Sequence, residues 1–134
     1  MAFEDTFRLS AHAVICDPAG RVLLLKATYG DMAWGLPGGA LEPGETIHEC
    51  VVRECREELG WEVAPRYLSG VYYHRAYNSQ AFVFRCEPPM DAEPRLSAEH
   101  SPWRYFALDE LGEVQRRRVE DCLEYAGAAV SGRF

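Results

Sequence analysis

Glu54, Glu57 and Glu58 stand in the run Arg53-Glu54-Cys55-Arg56-Glu57-Glu58, and the chemistry open to such a run is metal chemistry. At ~100° per residue, a helix through it gathers Ile47, Val51, Val52, Cys55 and Leu59 into an apolar arc. Glu54 and Glu58 then fall beside Ile47, inside the edge of that arc, and Glu57 sits next to them, while Glu49, Arg53 and Arg56 take the opposite, polar face. A glutamate-rich helix ordinarily shows a solvated face with ion pairs four residues apart, here Glu49 with Arg53 or Arg53 with Glu57. Three carboxylates on the side that must pack against a sheet read differently, because like charges held together repel unless a cation lies between them. Several hard oxygen ligands select Mg²⁺ or Mn²⁺ over zinc. Just upstream, Trp34-Gly35-Leu36-Pro37-Gly38-Gly39 ends in two glycines, where backbone can approach a ligand with no Cβ in the way.

The elements that hold these residues are legible around them. Thr46 followed by Glu49 is a capping box, which predicts a helix from near Ile47, and Gly60 supplies the left-handed position that stops it. Leu9 to Cys16 and Val22 to Leu25 are strand-like runs around Asp17-Pro18-Ala19-Gly20, which predicts a hairpin. Arg66 to Tyr77 and Ala81 to Cys86 form a second pair around Asn78-Ser79, Glu87 to Pro94 reads as a surface loop and Trp103 to Ala107 as a short strand. Leu111 to Ala126 is a second amphipathic helix with Val119, Cys122, Leu123 and Ala126 on its core side; Arg116, Arg117 and Arg118 read as its solvated face, with a basic patch as the alternative. A helix between strand groups and another at the end predict an α/β fold, a mixed sheet sandwiched by helices.

No repeat, low-complexity tract or linker divides the 134 residues, so one domain spanning 1–134 is expected, large enough for its own core. The five cysteines show no C-x-x-C or C-x-x-H spacing and are odd in number, which argues against a disulfide framework. Met1 to Asp5 is acidic without an apolar core and no apolar run approaches membrane length, so neither a signal peptide nor a membrane partner is expected, and a reducing cytoplasm is the expected location. The formal net charge of -7 disfavours nucleic acid as a partner. Much of it is local: Glu42, Glu45, Glu49, Glu54, Glu57, Glu58 and Glu62 face only Arg53 and Arg56. An anionic substrate therefore enters with divalent metals or through basic groups such as Lys26, Arg75 and Arg85.

Gly39, Glu45, Arg53-Glu54, Glu57-Glu58 and Gly60, with Cys55 and Trp61 in the apolar slots, form a spacing that resembles, position by position, the signature of the Nudix hydrolases, and residues 39–61 carry it whole. The resemblance implies the Nudix fold, an α/β/α sandwich, and metal-dependent hydrolysis of a diphosphate linkage in a nucleoside diphosphate derivative. It implies that Glu54, Glu57 and Glu58 hold the metal, completed by a carbonyl of Gly38 or Gly39. It also implies that Arg53 orients a catalytic glutamate with Glu45 supporting it, and that the base is a glutamate of this box or a distal one, for which Glu99 is the candidate. Lys26, Arg75 and Tyr77 are the expected substrate contacts.

Small-molecule nucleotides are the expected partners, the oligomeric state being open between monomer and homodimer. The short chain resembles the MutT-like nucleotide pyrophosphatases. At the position where ADP-ribose enzymes of the family carry proline stands Ala76, and Tyr77 after it resembles the dinucleoside polyphosphate group. Nucleotide-sugar hydrolysis, removal of pyrophosphate from RNA 5′ ends and non-catalytic nucleotide binding are the alternatives.

Overall fold

A computed structural model describes residues 3–27, 30, 33–90, 93 and 100–134. In chain order the strands are β1 (Arg8–Val14), β2 (Val22–Ala27), β3 (Trp34–Gly35), β4 (Gly38–Ala40), β5 (Ala64–His74), β6 (Ser79–Glu87), β7 (His100–Phe106) and β8 (Val130–Arg133); helix α1 (Ile47–Leu59) lies between β4 and β5, and α2 (Glu113–Leu123) between β7 and β8. Five strands form a mixed sheet in the order β4-β1-β6-β5-β8, with β1–β6 and β5–β8 parallel and the other pairs antiparallel. β3, β2 and β7 form a smaller antiparallel sheet.

The period of two along a strand decides where each helix sits. Ala11 and Ala13 of β1 pack with Val51, Cys55 and Leu59 of α1, whereas Val14 packs with Val119 and Cys122 of α2. β2 is buried on both sides: Leu23 and Leu25 belong to the α1 core, Val22 and Leu24 to the α2 core. The sheet is thus covered by one helix on each face, as the sequence predicts for an α/β/α sandwich.

Three expectations need correction. The turn at Asp17 exists, with the Asp17 carboxylate accepting from the amides of Ala19 and Arg21 at 3.0 and 2.9 Å. Beyond it, however, Cys16 and Val22 make only an isolated bridge and the two strands enter different sheets. The cause is competition: β1 offers its edge to β4, and the Ala13 amide donates to the Pro37 carbonyl at 2.8 Å, so β2 finds that edge taken. The strand expected to run to Tyr77 ends at His74, where a 3-10 turn over Arg75–Tyr77 begins; the chain then reverses at Asn78 as expected, φ 48°, a conformation asparagine tolerates. α2 stops at Leu123, leaving Leu123 and Ala126 exposed. There the chain leaves the helix, Tyr125 stacks on Tyr67, and Gly127, at φ 98°, precedes β8.

Candidate functional site

α1 is fixed in register from both ends. The Thr46 hydroxyl accepts from the Glu49 amide at 3.1 Å and the Glu49 carboxylate accepts from the Thr46 amide at 2.9 Å, while Gly60 closes the helix at φ 68° with its amide donating to Arg56. Residues 53–58 are thereby set against β4.

Arg53 is the hub of the site. Its Nε and Nη2 grip the Glu45 carboxylate at 2.6 and 3.0 Å, Nη1 donates to Glu54 at 3.0 Å and to Glu57 at 3.1 Å, and Nη2 also reaches the Ala40 carbonyl at 3.1 Å. The fork matches a carboxylate in a way a lysine cannot. These hydrogen bonds, with one from the Glu42 amide, hold Glu45 far down, at about 2. The same carboxylates push the Arg53 guanidinium up, so it is permanently charged.

Glu54 lies against the bare face of Gly39, where an added Cβ would stand 2.7 Å from its Oε1. Burial pushes the Glu54 carboxyl up, Arg53 opposes that, and Glu57 and Glu45 add to the rise. Glu58 is only 6% exposed and accepts from the Gly38 amide at 2.7 Å. Glu57 is the outer member, its side chain 57% exposed. Beneath them the Cys50 thiol points at the Gly39 and Ala40 carbonyls at 3.5 and 3.7 Å, and burial pushes it up to about 12.

One guanidinium thus faces Glu45, Glu54 and Glu57, with Glu42 at 3.7 Å and Glu58 across the glycine pair. The donors are all hard oxygens, and the cradle over Gly39 is one that any side chain would fill, so the residues fit a divalent cation of the Mg²⁺ type. Among the described residues no three histidine, cysteine, aspartate or glutamate side chains already stand as a cation cage. Glu57 is turned to Arg53 and Glu58 to the Gly38 amide, so a cation held by Glu57 would take the place of its contact with Arg53.

The other expected site residues scatter. Lys26 lies on β2 opposite Trp34. Arg75 lines a cleft with Arg117 and Arg133 at the β5–β8 edge, while Tyr77, 65% exposed, lines a different cavity with His12 and Arg118. Glu99 lies outside the described residues. Arg118 is no part of a solvated face, being only 7% exposed. The sequence signal was its place four residues before Cys122, on the core side of α2.

The NUDIX domain family model matches residues 6–123. A MutT-like protein of Streptomyces ambofaciens is 36% identical over 126 residues, covering 91% of this chain and 80% of its own length. The asymmetrical bis(5′-nucleosyl)-tetraphosphatase of Rattus norvegicus is 36% identical over 104 residues, covering 69% of this chain and 67% of that one. The fold matches the crystal structure of an ADP-ribose pyrophosphatase from Streptococcus suis with a TM-score of 0.78, at 22% identity, covering 96% of this chain and 100% of that one. At that identity the likeness is one of fold alone. With the glutamate helix seated against its glycine pair and a family match that runs through nearly all of the described strands and both helices, the chain belongs to the Nudix family of hydrolases.

Proposed function

We propose that the chain hydrolyses a diphosphate linkage in a nucleoside diphosphate derivative, with Glu54, Glu57 and Glu58 and a carbonyl of Gly38 or Gly39 holding Mg²⁺ or Mn²⁺. The observation that carries this reading is the excess of carboxylates around the single guanidinium of Arg53, packed on backbone that has no Cβ. Divalent metal ions are the general cofactors of this family. When bound there, such an ion neutralises charge on the diphosphate and makes a coordinated water more acidic.

The chain's own residues do the rest by positioning. Arg53 holds Glu54 and Glu57 in place and keeps Glu45 ionised, and Glu58 is braced by the Gly38 amide. A glutamate takes the proton of the attacking water; Glu99 is the distal candidate and the helix carboxylates are the near ones. Nucleoside triphosphates are the first substrates to test, given the MutT-like relative, and dinucleoside polyphosphates the second, given the name of the rat relative. A cytoplasmic location accords with five unpaired cysteines.

A panel of nucleoside triphosphates, nucleotide sugars, dinucleoside polyphosphates and 5′-triphosphate RNA, incubated with Mg²⁺ or Mn²⁺ and with excess EDTA, tests the proposal. Products of diphosphate cleavage that need the metal support it. Nucleotide binding without turnover across the panel overturns it in favour of a binding protein.

A further inference from the structure

A cavity of about 250 Å³ opens between β1, the start of β6 and α2, lined by Ser10, His12, His74, Tyr77, Ser79 and Arg118. Arg118 enters it from α2. Its Nη1 donates to Gln115 at 3.3 Å, but Nε and Nη2 are buried and have no acceptor among the described residues. Those two atoms are one edge of the guanidinium, with two nearly parallel N–H bonds, the edge that grips a carboxylate or phosphate.

A buried cation with unmet donors is costly, and among the described residues no carboxylate is hydrogen-bonded to it. Among the described residues no acidic side chain lines the cavity. The carboxylate one turn along α2, Asp121, accepts from the Tyr72 hydroxyl at 2.9 Å and lies 3.8 Å from Arg117. The remaining lining groups add donors, since the Ser79 and Tyr77 hydroxyls and the His74 imidazole can each present one; Ser10 Oγ and His12 Nε2, 2.9 Å apart, are engaged with each other. The size favours a small group: sites that enclose whole small molecules run to ~300–1,000 Å³. The cavity is also close to the carboxylates, because His12 pairs in register with Gly38, whose amide is bound by Glu58.

We propose that this cavity binds an oxyanion, a phosphate or carboxylate group, on the Nε–Nη2 edge of Arg118, with the Ser79 hydroxyl as a further donor. The group belongs either to a bound substrate or to a free anion; the binding itself does not rest on the hydrolytic reading, because it needs neither metal nor turnover.

Orthophosphate titrated into the metal-free protein in EDTA, followed by calorimetry, tests it. Binding to the wild-type chain, weakened tenfold or more in Arg118→Gln and unchanged in Arg117→Gln, is expected. Arg118→Met, which removes the buried charge but keeps much of the length, should fold and lose the phosphate-dependent rise in Tm that the wild type shows. The source is then read from KM values in Mg²⁺ for a substrate ending in a free phosphate and for the same substrate capped by a neutral group. A tenfold rise in Arg118→Gln confined to the charged substrate assigns the group to the substrate; unchanged KM values with Arg118-dependent phosphate binding assign it to a free anion. Absence of phosphate binding, equal binding to wild type and both Arg118 variants, or displacement of phosphate by uncharged guanosine at equal concentration overturns the proposal.

Discussion

Arg53 joins four features usually tested one at a time: the loop carboxylate of Glu45, the helix carboxylates of Glu54 and Glu57, and the backbone of β4. Because it touches carboxylates, Arg53→Ala should lower kcat more than it raises KM, and steady-state kinetics that show only a KM defect would move Arg53 into the substrate pocket. Glu57→Gln and Glu58→Gln keep shape and an acceptor oxygen but lose charge, so each should lower Mg²⁺-dependent turnover by ~10²-fold or more while leaving the fold intact. Wild-type rates in both variants would refute the metal assignment. Glu45 gives a stability signature as well. Its folded value of about 2 lies below its ordinary 4.5, so its stabilising effect is complete above the ordinary value and is lost as pH falls through the folded one. The stability gap between wild type and Glu45→Gln should therefore be constant near neutrality and close between about pH 4.5 and 2, as acid unfolding curves would show.

At the scale of elements the two glycines separate architecture from chemistry. A Cβ on Gly38, at φ 148°, would stand 2.2 Å from the Ala11 carbonyl and 2.7 Å from His12 Cα, both backbone. On Gly39 its three nearest neighbours are all atoms of the movable carboxylate of Glu54. Gly38→Ala should thus unfold or strongly destabilise the chain, whereas Gly39→Ala should keep its Tm within a few degrees and lose turnover; equal thermal losses in the two variants would contradict the distinction. α1 was readable because its signals are local: Thr46, Glu49 and Gly60 act within a turn of their own positions. β4 and β8 were not, since Gly-Gly-Ala and Val-Ser-Gly-Arg have little strand propensity and form only because β1 and β5 offer them edges. The parting of β1 and β2 was hidden for the same reason: a turn signal reports the reversal and not which edge is already taken. The carboxylate site was legible in its residue types and in the side of α1 they share. The cavity around Arg118 was not, because it needs β1, β6 and α2 together, and three consecutive arginines read as surface until the helix is docked.

Among its described residues the whole molecule shows two apolar cores, one beneath each helix, and no helix that is long and apolar enough to cross a membrane. The cores are not independent. β2 sends Leu23 and Leu25 into one and Val22 and Leu24 into the other, so it cannot be withdrawn from either without vacating both. A four-residue stretch therefore works as a thermodynamic rivet: the carboxylate helix and the helix that carries Arg118 should lose structure in one transition although they never share a core. Leu24→Ala, which opens a void only on the α2 side at a cost of ~2–5 kcal/mol, should lower native-state hydrogen-exchange protection in α1 and α2 by the same factor. Protection lost in α2 alone would show the two halves to be separable. If they are not, a defect anywhere under α2 reaches the glutamates of α1 as a change in the fraction of molecules that are folded, leaving the chemistry of each folded molecule untouched.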